Sequence, residues 1–428
     1  MIVQDSHRAR LSRRLLPLYT AAALQGVFLW TPIEKLFMTE IGFDAAGIGV
    51  MAAAYAALVP IAEVPSGILA DRWSRRGVLM IAVLALAASE LVGGLSTNPL
   101  TYIGGALLLG VYFAMYTGTM DAIIYDTVLE ETGDSAAFEQ LLGRARLVES
   151  VALVGSALAG GVLAELVGTR ATYFLTLPFV LASAVALTRF REPRLHRAAE
   201  RVSLRAHLAV TYRAVLGPTM RGRLVPVVLL AVLGALASQT IFEFGPLWLV
   251  ELKSSPVLYG PFWAALMATF GLGGLLAGRL PLDRTVTLAG VAAVAAGASI
   301  VVNTSRDLPA VTAAMVVLVM LLVMLGIHVT RMLHDAVPSS VRSGVASGVS
   351  ALTWLSFLPF ALVFGLVTRA AGVYAAGWMI TVVIAAVGVV LLTLPRRDDQ
   401  RPVEAEAEAS VTESATAAPA PVVSAASR

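Results

Sequence analysis

Twelve stretches of this chain are apolar for about as long as a bilayer is thick, and that constrains the fold more than any motif does. A helix rises ~1.5 Å per residue, so ~20 apolar residues cross the hydrocarbon layer. The runs are Pro17 to Phe37, Ile48 to Ala70, Val78 to Leu95, Leu100 to Val128, Phe138 to Leu166 and Ala171 to Thr188. After a basic connection come Leu224 to Val250, Val257 to Leu280, Val286 to Val302, Leu308 to Leu333, Val341 to Val367 and Val373 to Leu394. The apolar residues are contiguous rather than periodic, unlike those of a water-facing amphipathic helix. With 58% hydrophobic residues, 14% charged and mean hydropathy +0.81, the chain belongs in a bilayer as an all-α protein. It has no Cys, and its five His lack ligand spacing, so disulfides, thiolate chemistry, cofactors and metals are not expected.

The positive charge is sorted by loop. Lys35, Arg170, Lys253, Arg306 and Arg369 are the basic residues assigned to odd-numbered connections; removing those five from the 31 leaves 26 on the side of the N-terminus. The positive-inside rule makes that side cytoplasmic, with both termini there; the Arg- and Ala-rich composition with only two lysines suggests a GC-rich bacterial genome, so the expected location is the inner membrane. The same sorting accounts for the net charge of +3 without nucleic acid.

Between the second and third runs lies a polar knot, Gly67-Ile68-Leu69-Ala70-Asp71-Arg72-Trp73-Ser74-Arg75-Arg76-Gly77. Gly67 permits close helix approach, Asp71 can accept from helix-terminal amides, and Arg72, Arg75 and Arg76 suit anionic headgroups. This G-x-L-A-D-R-x-x-R-R pattern resembles the signature loop of the major facilitator superfamily (MFS) of secondary transporters, with Ser74 in place of the usual glycine. The resemblance implies twelve helices in two six-helix parallel-repeat bundles, with spans one, four, seven and ten lining a central cavity.

Internal echoes support two repeats. Gln25, Phe28 and Pro32 share the spacing of Gln239, Phe242 and Pro246. Gly67 to Arg72 is echoed by Gly274 to Arg279, and Tyr125-Asp126-Thr127-Val128 by His334-Asp335-Ala336-Val337. The expected organisation is a cytoplasmic N-terminus (1–14), an N-terminal bundle (15–188), a basic linker with an amphipathic helix (189–223), a C-terminal bundle (224–394) and a disordered cytoplasmic tail (395–428). In the linker Leu195, Ala199, Val202, Ala206 and Ala209 recur at helical spacing beside four arginines.

Ionisable residues inside spans are costly and mark functional sites. Glu243 stands near Gln239 and Phe242 on span seven, which the resemblance makes cavity-lining; desolvation there favours taking up a proton. Asp121 and Glu63 are the next proton-coupling candidates. The resemblance calls for a buried span-four Arg, which is absent; that departs from the Arg-centred proton mechanism the resemblance implies and makes an acidic residue such as Asp121 a candidate for the role. Candidate substrate contacts are Gln25, Phe28, Tyr112, Tyr116, Gln239 and Phe242. Gly67, Asp71, Arg72, Arg75, Arg76, Asp126, Arg144 and Arg342 form the expected cytoplasmic gate, with Asp126 pairing an Arg of span five and Asp71 pairing Arg342. Glu149 is expected to pair with Arg146 three residues earlier, and Glu90 to pack against a polar neighbour. The glycine-rich Gly155 to Leu163 is similar to an antiporter motif but lacks its proline.

A monomeric, proton-coupled exporter of a small apolar or cationic compound is the leading expectation, with no catalytic residue. Uptake of a sugar, peptide or organic ion is the alternative, and a non-transporting receptor or scaffold of the same fold is the reading from another class.

Overall fold

The computed structural model describes residues 2–133, 137–193, 218–277, 284–335 and 342–393. Among them the chain is helical, with no strand. The first half comprises α1 (Ile2–Gln25), α2 (Glu34–Glu40), α3 (Ala45–Arg72), α4 (Arg75–Leu95), α5 (Pro99–Thr132), α6 (Phe138–Val167) and α7 (Thr169–Thr188). The second comprises α8 (Pro218–Phe244), α9 (Pro246–Glu251), α10 (Tyr259–Ala277), α11 (Thr285–Thr304), α12 (Leu308–Asp335), α13 (Arg342–Ala371) and α14 (Val373–Thr393). Ten helical stretches among the described residues are long and apolar enough to cross a bilayer. The broken first segment and the shorter apolar stretch Pro256–Phe270 complete the twelve-segment arrangement.

Helix starts are fixed by side chains that accept from otherwise unpaired amides. Asp44 accepts from the Gly47 N–H at 2.7 Å and Asn98 from the Thr101 N–H at 3.1 Å. Ser74 accepts from the Gly77 N–H at 2.9 Å and opens α4. The serine that departs from the signature pattern is therefore a helix cap. Its hydroxyl also donates to Glu192 at 2.6 Å, and the same carboxylate accepts from the Arg75 N–H at 2.6 Å.

The first segment is not one helix. It breaks after Gln25, passes through a tight turn at Thr31–Ile33 containing Pro32, and resumes as α2. The seventh breaks at Gly245 and resumes at Pro246. Proline supplies no N–H and suits a first helical turn, so the sequence echo of Pro32 and Pro246 becomes an interruption at equivalent places in both repeats. Hydroxyls of neighbouring helices satisfy the amides freed by the first break: Phe28 N–H donates to Ser156 at 3.1 Å and Leu29 N–H to Thr176 at 3.2 Å.

In the first half α4 packs on α5 and α7, α3 on α5, and α1 on α6 and α7. In the second, α11 packs on α12 and α14, and α8 on α12, α13 and α14. The halves meet through α3 with α13 and α6 with α10, pairing the second segment of each repeat with the fifth of the other. Glycine lets both seams close to backbone contact. A Cβ on Gly49 would lie 2.6 Å from the Ala361 carbonyl oxygen, and one on Gly161 would lie 2.7 Å from that of Pro256. Packing thus explains this part of the glycine-rich stretch of the fifth segment.

The close glycine contacts of both seams lie toward the end of the molecule that carries the odd-numbered connections. One buried core runs through both halves, whereas Leu224, Val227, Leu230, Leu325, Val329, Leu333, Val387 and Leu391 form a separate core at the even-loop end of the second half. The linker helix and the tail lie outside the described residues.

Candidate functional site

Aromatic rings of the first half crowd around the interrupted first segment, and a second aromatic group lies in the second half. Phe28 stacks on Phe113 with centroids 6.5 Å apart and tilts against Tyr112 at 6.4 Å, while Tyr112 and Tyr116 stack at 5.2 Å. From the second half Phe242 stacks on Phe270 at 5.3 Å and on Trp263 at 6.1 Å; Trp354 meets Tyr55 across the halves at 6.0 Å. Gln25 ends α1 at 1% exposure with neither amide atom hydrogen-bonded, and Gln239 is half-buried on α8. The expected cavity residues are therefore brought together in part: Phe28, Tyr112 and Tyr116 form one group, and Phe242 belongs to another.

Three charges stand together on α5 and α6. Arg146 donates to Asp121 at 2.7 Å and to Glu149 at 3.3 Å, with Arg146 and Asp121 about two-fifths exposed. The Arg146–Glu149 pair matches the sequence reading. Asp121 therefore does not stand alone: the cation beside it comes from the fifth segment.

Glu243 does not stand alone either. Lys35, placed with the loop charges by sequence, is buried at 2% exposure within α2 and donates to Glu243 across the halves and to Glu34 at 3.0 Å. Glu34 also accepts from Tyr102 Oη at 3.0 Å, and that hydroxyl lies 2.8 Å from Tyr173 Oη. The sequence suggests a lone desolvated carboxylate at Glu243; the structure makes it half of an inter-half ion pair. The signal is present in the sequence, since Lys35 is one of only two lysines and falls inside an apolar run.

Further links join the halves at the same end. Arg369 pairs with Asp44 at 3.2 Å, and Ser255 donates to Glu165 at 3.2 Å. At the even-loop end the first half is tied to itself: Arg14 binds Glu130 at 2.9 Å and Glu131 at 2.5 Å, and Arg76 donates to the Phe190 carbonyl at 3.0 Å. Asp126 pairs with Arg75 at 2.5 Å, a correction to the expected fifth-segment partner; Arg146 is drawn to Asp121 instead, and Arg144 is exposed. Arg75 lies at the start of α4, and its guanidinium also reaches the Ala122 carbonyl at 2.7 Å, one turn before Asp126 on α5. The side chains of Glu63, Gly67, Asp71, Arg72 and Arg342 lie outside the described structure, and with them the Asp71 to Arg342 pair. Among the described residues no group of His, Asp and Glu could hold a metal.

Two helical repeats of apolar segments, joined at one end by glycine seams and a buried ion pair, define a polytopic α-helical membrane protein. The chain belongs to the Major Facilitator Superfamily, whose model matches residues 15–330. It is 26% identical over 166 residues to multidrug resistance protein 2 of Bacillus subtilis, covering 39% of this chain and 38% of that protein. With multidrug resistance protein 1 of the same organism it is 26% identical over 172 residues, or 40% and 43% of the two chains. The chain thus spans less than half the length of the curated relatives it matches.

Its fold is similar to that of the nucleoside transporter NupG, with TM-score 0.73, 14% identity and coverage of 90% of this chain and 99% of that one. It is also similar to a bacterial homologue of the human lysosomal transporter Spinster in an inward-facing state, with TM-score 0.71, 14% identity and coverage of 90% and 96%. For the inward-open xylose transporter XylE of E. coli the TM-score is 0.67 at 13% identity, with coverage of 93% and 99%.

Proposed function

We propose that the chain exports a small apolar or cationic compound across the inner membrane by alternating access, driven by protons. The observation that carries the reading is the buried Lys35 to Glu243 pair. It joins the halves near the tight glycine seams, while the even-loop end of the second half keeps its own core. A closure built from two ion pairs, a side-chain hydrogen bond and two seams can part without unfolding either half.

Charge sorting supports the even-loop end as cytoplasmic, and the inter-half ion pairs among the described residues lie at the opposite end, which supports reading the arrangement as inward-facing. Mostly aromatic walls with few polar groups suit an apolar cation, as does partial similarity to two multidrug resistance proteins. Glu243 is the first proton-coupling candidate because its partner must change when the odd-loop end opens; Asp121, held by Arg146, is the next, and Glu63 follows. The Asp71 to Arg342 latch is proposed for the opposite state, in which the even-loop end closes. In this reading the protein works as a monomer, and 189–223 tethers two separately moving bundles.

Gln25 supports a second reading. A buried amide without partners is suited to a polar solute, and uptake of a polar metabolite would use it. Reconstituted vesicles loaded with a fluorescent lipophilic cation separate the two. Export predicts dye movement against its gradient when an opposing proton gradient is imposed, abolished by a protonophore. Dye movement indifferent to the gradient, with proton-driven uptake of a nucleoside, pentose or dipeptide, would overturn it.

A further inference from the structure

The two proton-coupling candidates whose side chains are described, Glu243 and Asp121, are both ion-paired, yet a third carboxyl is buried with no cation beside it. Glu90 on α4 is 1% exposed, and neither of its oxygens makes a hydrogen bond of ordinary geometry. The indole N–H of Trp30 faces it and likewise lacks an ordinary hydrogen bond. Among the described residues, the titratable groups within electrostatic reach of Glu90 are the phenols of Tyr112 on α5 and Tyr173 on α7. No charged side chain among the described residues of α3, α5 or α7 pairs with it.

Helix packing alone would be served by Gln or Leu. An ionised carboxylate so placed would bear a desolvation cost without Coulombic return. Beside it a small cavity is lined by Trp30, Glu34, Ser89, Tyr102 and Tyr173. Trp30 stacks on Tyr173 at 5.0 Å, and from Tyr173 hydroxyl contacts run through Tyr102 to Glu34, which holds Lys35. The ring over Glu90 is thus joined by packing and hydrogen bonds to the ion pair that closes the odd-loop end.

We propose that Glu90 is a second proton-binding site, loaded from the odd-loop side and coupled to closure of that end. When Lys35 and Glu243 part, the odd-loop end opens, and water can follow the Glu34, Tyr102 and Tyr173 oxygens toward Trp30. A proton delivered by that water adds to a Glu90 oxygen, forming one O–H bond and removing one negative charge. Reclosure then traps the neutral acid. The sign follows: the closed arrangement holds the proton more tightly than the hydrated one, so acid favours closure of the odd-loop end. This deepens the proton-driven reading above and rests on it only for its use in transport.

The test needs no substrate. The full chain in lipid vesicles is compared with Glu90→Gln and Glu90→Asp by infrared spectroscopy, and by spin-label distances between Leu100→Cys and Thr304→Cys, which is unambiguous in a chain without cysteine. The expected result is a protonated-carboxyl band in the native protein that persists in Glu90→Asp and is lost in Glu90→Gln. The odd-loop distance should shorten on acidification in the native protein and in Glu90→Asp, and that shortening should be lost in Glu90→Gln, where Glu243 remains to titrate. An unchanged carboxyl band in Glu90→Gln would overturn the proposal, as would a native pH response of the distance in that variant. Failure of dye export with these spectroscopic results intact would count against the transport reading and leave the proton site standing.

Discussion

Lys35 shows how a residue can be plain in the sequence and still be misassigned. Its charge points to a loop, but its neighbours Leu36, Phe37 and Met38 belong to the apolar run, and the ammonium is buried against Glu34 and Glu243. Breaking one side of a buried pair costs about 3–5 kcal/mol, whereas replacing both members with apolar residues of similar volume is near neutral. Glu243 retains 19% side-chain exposure and Lys35 keeps Glu34, so the loss for Glu243→Gln belongs at the lower end of that range. Thermal unfolding in detergent should show a clear drop for Glu243→Gln and a smaller one for the double variant Lys35→Met with Glu243→Leu. Equal or larger loss in the double variant would remove the ion pair from the account. Ser74 offers a second residue-scale check. Ser74→Ala deletes the cap of α4 and the bond to Glu192, and should lower stability by about 1 kcal/mol in denaturant titration, with Ser74→Asp recovering only the capping part. Spacing reveals the Arg146–Glu149 pair because three residues along one helix set the contact. The Lys35, Glu34 and Glu243 group joins residues 208 positions apart, and no local period encodes it.

At the scale of elements, the apolar runs and caps make the helices legible, and the repeat of Pro32 and Pro246 marks two places where they break. What the runs hide is the backbone approach between halves. Glycines in an apolar helix read alike whether they face lipid or a partner, and only packing separates Gly49 and Gly161 from the others. Gly49→Val places a branched side chain where even a Cβ would meet the Ala361 carbonyl at 2.6 Å. That seam should open: maleimide labelling of a cysteine at Ala53, buried at 6% exposure one turn further along α3, should rise several-fold over the same cysteine in the native background. Unchanged labelling would mean that the seam tolerates bulk and is not the closing surface. Gly104, with nothing within 4 Å of its added Cβ, serves as the control position for the same substitution.

For the whole molecule, the twelve-segment, two-repeat architecture is readable because bilayer thickness sets run length and because the duplicated proline and glycine signals lie in order. Which end is sealed is not readable, since closure depends on contacts between elements distant in the chain. The substrate belongs to the cavity walls rather than to any motif, which leaves it a proposal. Charge sorting predicts that cysteines introduced at Ser203 and Ser424 are shielded from an impermeant thiol reagent in intact cells; labelling of either would reverse the topology. The central claim is that the two ends open in turn, and paired distance measurements test it most directly. One spin-label pair joins Leu100→Cys and Thr304→Cys at the odd-loop end, and another joins Arg144→Cys and Thr330→Cys at the other, each in vesicles and in separate samples. The account predicts two distance populations at each end, with conditions that lengthen the first pair shortening the second, and Glu243→Gln shifting both toward the state open at the odd-loop end. A single, fixed distance at both ends, unmoved by pH, by the lipophilic cation or by Glu243→Gln, would contradict it.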